Sequence, residues 1–236
     1  MTESKISWAV ELIGPEDSKE FWKDQLRKPF DPYVEEIEDT GFVLRSSEFE
    51  GVDEAIAARD IAARLLRAIN VTMSCDGFDP MTMGSLLKLV DGQKPIKHLF
   101  GEFRAEFRAR FGIAKLVHTD ALGNIIEPAP RESKAQRWMR AAAKSPQIAA
   151  ALSYLEGKPD WVSLYKAYEA LKNLPCDAVT RDEISRFTRT ANTGGRRHHL
   201  GPKENPPEVP MTLNEAQNFI LKWLSAAVDL VLAKHA

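Results

Sequence analysis

Cysteine is scarce in this chain, and the motifs that most readily announce a chemistry are missing. The 236 residues include two cysteines, Cys75 and Cys176, one in each half and outside any CxxC pattern. That excludes a disulfide framework and a thiol-rich zinc site, and it fits a reducing cytosol. No GxGxxG, P-loop, GxSxG or HExxH occurs, so nucleotide-fold, hydrolase-elbow and zincin chemistries lack their starting residues. No apolar run approaches the roughly 18 residues of a membrane span. The opening MTESKISWAV has no basic region leading into an apolar one. The expectation is a cytoplasmic protein with no membrane partner. An excess of one charge is also absent. The 32 Lys+Arg and 34 Asp+Glu leave a formal net charge of -2, so no global positive field draws the chain to nucleic acid, and any polyanion site has to be local.

What is present is a folding composition, with 44% hydrophobic and 28% charged residues, far from the low-hydrophobicity regime of disorder. The length allows one large or two small domains. Ile6, Trp8, Val10 and Leu12 alternate with polar or small residues and stop at Gly14-Pro15, which predicts a strand ending in a turn. Glu16 to Leu26 spaces Phe21, Trp22 and Leu26 as a short amphipathic helix. Pro32–Glu38 and Gly41–Ser46 flank Asp39-Thr40-Gly41, which predicts a hairpin. The acidic cluster Glu35, Glu36, Glu38 and Asp39 then falls on a solvated face. From Asp53 the stripe Ile56, Ala57, Ile61, Leu65, Leu66 and Ile69 predicts a helix through about Ile69. The Gly-, Pro- and Met-rich stretch from Cys75 to Gln93 reads as a loop excursion with a helical turn at Met83–Val90. The alternation from Phe103 to Phe111 predicts a long strand, and Ala114–His118 with Asn124–Ile126 a further hairpin.

Pro128 and Pro130 close this half. Beyond them only helical periods remain, over Lys134–Lys144, Pro146–Glu156, Asp160–Leu174, Thr180 to Asn192 and Thr212–Lys234. Thr180 with Glu183, and Thr212 with Glu215, have capping-box spacing. The fold class expected is α+β: an N-terminal, mostly antiparallel sheet with helices over residues 1–130, followed by an all-helical bundle over 131–236. The tryptophans, Trp161 among them, read first as core or interface residues, and both cysteines as small apolar ones.

The most unusual segment runs Arg189-Thr-Ala-Asn-Thr-Gly-Gly-Arg-Arg-His-His-Leu-Gly-Pro and joins two helices. A connection this long inside a helical array raises the prior for a site. Arg186, Arg189, Arg196, Arg197 and Lys203 supply fixed charge, and His198 and His199 exchange protons near neutral pH. Guanidinium forks match phosphodiester oxygens, and an imidazole can act as base on a ribose hydroxyl or as acid to a leaving oxygen. Gly194 and Gly195 permit close backbone approach. The bland alternative is a solvated basic loop whose arginines pair with Glu183, Glu204 or Glu208. The adjacent histidines come with no carboxylate or thiol at ligand spacing, so neither a metal nor a cofactor is expected.

The last hundred residues resemble the HEPN superfamily. The likeness rests on an Arg/Asn- and His-bearing segment at the end of one helix, a Gly/Pro-containing loop, and Thr212-Leu-Asn-Glu-Ala opening a final amphipathic helix. That family comprises helical bundles found among bacterial ribonuclease toxins, defence proteins and RNA-binding partners. Its motif places an arginine four to six residues before a histidine. Here eight residues separate Arg189 from His198, Arg196 and Arg197 lie closer than the motif requires, and Asn192 alone has a family-like interval. The resemblance implies His198 as the acid/base group, Arg189 or Arg197 on the phosphate and Asn192 as a polar auxiliary, with Arg186, Arg196, His199 and Lys203 as RNA ligands. Two classes of function stay open. One is an RNA-directed protein, a metal-independent endoribonuclease of a toxin or antiphage system. The other is a non-enzymatic module that binds a protein partner or senses a ligand through its N-terminal half and forms a homodimer through its bundle.

Overall fold

A computed structural model describes residues 6–90, 94–99, 130–193, 196 and 206–235. The chain forms two compact units, Met1–Gln136 and Arg137–Ala236, and its class is α+β.

The first unit contains β1 (Ile6–Ile13), α1 (Glu16–Gln25), β2 (Tyr33–Ile37), β3 (Gly41–Arg45), a 3-10 turn (Ser47–Phe49), α2 (Ala55–Cys75), β4 (Thr82–Val90) and β5 (Ile96–His98). The strands form one antiparallel sheet in the order β2-β3-β1-β4-β5. The predicted hairpin is present, with Tyr33 opposite Arg45 and Ile37 opposite Gly41. Its turn places Asp39 at φ 62° and Gly41 at φ 89°, the left-handed region that aspartate tolerates and glycine enters without steric cost. The glutamates of β2 are ion-paired, Glu35 with Lys28 and Arg45 and Glu36 with Lys23.

The stretch expected as a loop with a helical turn is instead β4, which pairs with β1 from Ile6 opposite Val90 to Ile13 opposite Thr82. Two features hide it from a periodicity reading. The middle of β4 is buried on both faces, Leu86 beside Val10 and Leu44 on one and Leu87 beside Ala9 and Val43 on the other, so β4 carries no alternation of its own. The register also shifts between Val10 and Leu12, which face Leu86 and Met83. Gly84 and Ser85 therefore share the single partner Glu11, a β-bulge, and the Glu11 carboxylate accepts from the Ser85 amide at 3.1 Å. A Cβ on Gly84 would meet that carboxylate at 3.0 Å.

α2 also runs past its predicted end at Ile69, to Cys75. The extension is tertiary: Val71, Thr72 and Met73 are buried, and the Asn70 carboxamide donates to the Met81 carbonyl and accepts from the Met81 amide, both at 2.8 Å. Near the end of this unit Gln136, fully buried, directs its Nε2 to the carbonyls of Arg27 (3.0 Å), Phe30 (3.3 Å) and Pro32 (2.9 Å). It thereby satisfies backbone acceptors of the α1–β2 connection. The predicted strand at Phe103–Phe111 and the hairpin after it lie outside the described residues.

The second unit is a helical bundle of α3 (Lys134–Lys144, which begins in the first unit), α4 (Pro146–Tyr154), α5 (Trp161–Leu171), α6 (Arg181–Ala191) and α7 (Leu213–Ala233). Ser145 caps α4, with Pro146 in its first turn, where the missing amide proton costs nothing. Capping boxes open α5, α6 and α7 at Asp160, Thr180 and Thr212. Among the described residues α7 is the one helix long and apolar enough to cross a membrane by length and composition. It buries Ala216, Phe219, Ile220, Trp223, Leu224, Ala227, Val228 and Leu232 and packs on α4 and α5, which is the behaviour of a bundle's core helix.

Candidate functional site

The site is built on the last turns of α6 and on the segment that returns to α7. That segment, Pro206-Pro-Glu-Val-Pro, carries three prolines, so it is short of the amide donors needed to pair as a strand, yet its carbonyls still require partners. α6 supplies them. Arg189 Nη2 donates to the Pro206 carbonyl at 3.1 Å, and Arg186 donates through Nε to Val209 at 2.8 Å and through Nη2 to Pro210 at 3.3 Å. Arg186 also reaches the Glu215 carboxylate at 3.1 Å. Thr190, wholly buried, donates its hydroxyl proton to the Arg186 carbonyl at 2.7 Å and accepts from the Met211 amide at 3.0 Å. These contacts set the residues on either side of the His198 stretch next to each other.

Glutamates brace the same region. The Glu215 carboxyl is held below the ordinary carboxylate range, first by the Thr212 amide, then by the Thr212 hydroxyl and Arg186. Glu183 is lowered chiefly by the Thr180 amide and next by Lys222, whose ammonium lies 3.0 Å away on α7.

The carbonyl end of α6 carries partial negative charge, and a cation meets it. Arg196 Nη1 lies 3.4 Å from the Thr190 carbonyl, 3.3 Å from the Thr193 carbonyl and 3.2 Å from the Thr193 hydroxyl. Its guanidinium carbon lies 5.5 Å from the Trp161 ring centroid, within cation–π range. Asn192 is the C-cap residue of α6 and donates its amide proton to the Thr188 and Thr190 carbonyls.

Beneath Arg196 lies an aromatic cluster. Trp161, Tyr165 and Tyr168 follow at i, i+4 and i+7 along α5, which puts them on one face, and all three are half-buried. They surround the buried ring of Phe187, whose centroid is 6.4 Å from Trp161, 6.1 Å from Tyr165 and 5.5 Å from Tyr168. Phe219 stacks on Phe187 at 5.1 Å, and Trp223 meets Tyr168 edge-on at 5.6 Å. Burial raises the Tyr168 phenol, with Tyr165 and Glu169 adding to the shift, so the ring stays neutral at physiological pH.

Of the eight residues singled out from sequence, Arg186, Arg189, Asn192 and Arg196 come together at the end of α6, while Arg197, His198, His199 and Lys203 lie outside the described residues. Arg186 and Arg189 act as clamps on the returning chain, and Arg196 caps the helix. The tryptophans were read alike as core or interface residues; Trp8, Trp22, Trp138 and Trp223 are buried and Trp161 is partly exposed. The sequence reading also passed over Tyr165 and Tyr168, whose spacing from Trp161 is the signal that could have found them. Among the described residues no group of three or more His, Cys, Asp or Glu side chains is placed to hold a metal ion. Comparison with known protein families, with curated proteins and with solved structures yields no match to this chain.

Proposed function

We propose that this protein is RNA-directed and that the segment bearing His198 cleaves RNA without a metal ion, in the manner of the bacterial toxin and defence proteins its C-terminal half resembles. The observation that carries the reading is the Arg196 guanidinium, held over the partly exposed Trp161 ring where the chain enters Arg197-His198-His199. Cation and ring meet there at the start of the proton-exchanging stretch, a combination suited to a phosphate–base unit. In the reaction His198 takes the proton of a ribose 2′-hydroxyl, the 2′-oxygen bonds to phosphorus, and the bond to the 5′-oxygen breaks as that oxygen takes a proton from water, which the His198 imidazolium then restores. The products are a 2′,3′-cyclic phosphate and a 5′-hydroxyl. Arg189 and Asn192 flank the segment from α6, with Arg197 and Lys203 as the phosphate ligands.

The test is incubation of the protein, and of a His198→Ala/His199→Ala variant, with total RNA in excess EDTA, followed by a denaturing gel. Cleavage by the unaltered protein alone is the expected result. Binding without cleavage by either removes the catalytic assignment and leaves an RNA-binding protein.

A second reading is favoured by one observation. Arg186 and Arg189 spend donors on backbone carbonyls, as the arginines of a purely structural bundle do. On this reading the protein is an interaction module, its N-terminal half binding a protein partner and its bundle forming a homodimer. Absence of both RNA binding and cleavage selects it.

A further inference from the structure

We propose that the α5 face formed by Trp161, Tyr165 and Tyr168, with Arg196 across its end, is a stacking platform for the unpaired bases of single-stranded RNA. The inference rests on the RNA-directed reading and names its substrate class, a single strand in preference to a duplex.

Three features carry it. The first is access with support: the three rings are half-buried, neither sealed in the core nor loose, and behind them Phe187, Phe219 and Trp223 are at most 5% exposed. A ring backed by packed rings loses little freedom when a base settles on it. The second is spacing. Tyr165 and Tyr168 lie 5.4 Å apart, and Trp161 stands one helical turn from Tyr165, so the face offers successive aromatic surfaces along one direction, as a strand of bases requires. The third is charge. Arg196 lies 5.5 Å over Trp161, so a fixed cation borders the rings at the Trp161 end. A guanidinium plane can itself be sandwiched between a base and an aromatic ring. At the start of α5 the Asp160 carboxylate is committed to the Ser163 amide and hydroxyl, and Glu169 is the carboxylate that acts on Tyr168 at the other end. In a duplex the bases are paired and stacked on one another, and a helix face cannot reach them.

The experiment uses the full chain with His198→Ala, so that the probe survives. A fluorescein-labelled oligouridylate of about twelve nucleotides and a duplex of equal length are titrated by anisotropy, and tryptophan fluorescence is followed in parallel. The single strand should bind at least about tenfold more tightly than the duplex and quench tryptophan emission. Trp161→Ala should weaken single-strand binding about tenfold, the loss of one stacked base. Trp161→Phe should keep most of the affinity, and Tyr165→Leu serves as a second, independent probe should Trp161→Ala fail to fold. Equal binding of single strand and duplex, or unchanged affinity in folded Trp161→Ala and Tyr165→Leu, overturns the platform while the RNA-directed reading stands. No binding of either probe overturns both.

Discussion

The main-chain amide of Met211 donates to the hydroxyl of Thr190 at 3.0 Å, and both residues are buried. One side chain thus closes the connection between α6 and α7, because the same hydroxyl donates onward to the Arg186 carbonyl. Thr190→Val keeps the shape and removes the acceptor, which strands the Met211 amide away from water. The expected cost is about 1–3 kcal/mol, read as a lower urea midpoint by circular dichroism. Thr190→Ser, which retains the hydroxyl, should lose less.

Arg186 separates a structural from a phosphate-binding role. Its fork spans two carbonyls and a carboxylate, a geometry that a lysine ammonium cannot reproduce. Arg186→Lys should therefore lower the urea midpoint, by an amount corresponding to about 1 kcal/mol. The salt dependence of RNA binding by the folded variant should stay that of the parent. A shallower salt slope would assign Arg186 to a phosphate instead.

Stability should fall in acid through the capping glutamates. The Glu183 carboxyl titrates below its ordinary value, so in the window between the two values the unfolded chain binds more protons than the folded one. Stability then rises with pH across that window. The contribution is complete above the unfolded value and is lost as pH falls through the folded one. Compared with Glu183→Gln, the parent should have the higher urea midpoint at neutral pH, and the difference should shrink as the pH falls through the lowered folded-state value. A difference independent of pH would attribute the effect to cap geometry rather than charge.

The elements legible in sequence are those whose signal is local. Ile6, Trp8, Val10 and Leu12 announce β1, Asp39-Thr40-Gly41 announces the β2–β3 hairpin, and Thr180-Glu183 and Thr212-Glu215 announce two helix starts, because turn chemistry and capping need only a few neighbouring residues. β4 was hidden because its neighbours decide its pattern: burial of Leu86 and Leu87 on opposite faces removes alternation, and the Gly84-Ser85 bulge breaks its phase. The end of α2 depends on Asn70 finding the main chain of Met81, a contact that no window around residue 70 contains. The arginines were recognised as a cluster, but the carbonyl partners of Arg186 and Arg189 were not foreseen. Local basicity reveals charge, whereas the acceptors of Arg186 and Arg189 are carbonyls some twenty residues on. Trp161, Tyr165 and Tyr168 carry a readable spacing, but spacing alone does not say which side of a helix meets solvent.

The clamps at the end of α6 grip their targets through main-chain atoms: the carbonyls of Pro206, Val209 and Pro210 and the amide of Met211. Main-chain atoms are present whatever side chain is attached. The exposed side chains of Glu208 and Val209 can therefore change while Arg186, Arg189 and Thr190 keep the seam shut. The seam is in this respect a lock keyed to the backbone rather than to the side chains it holds.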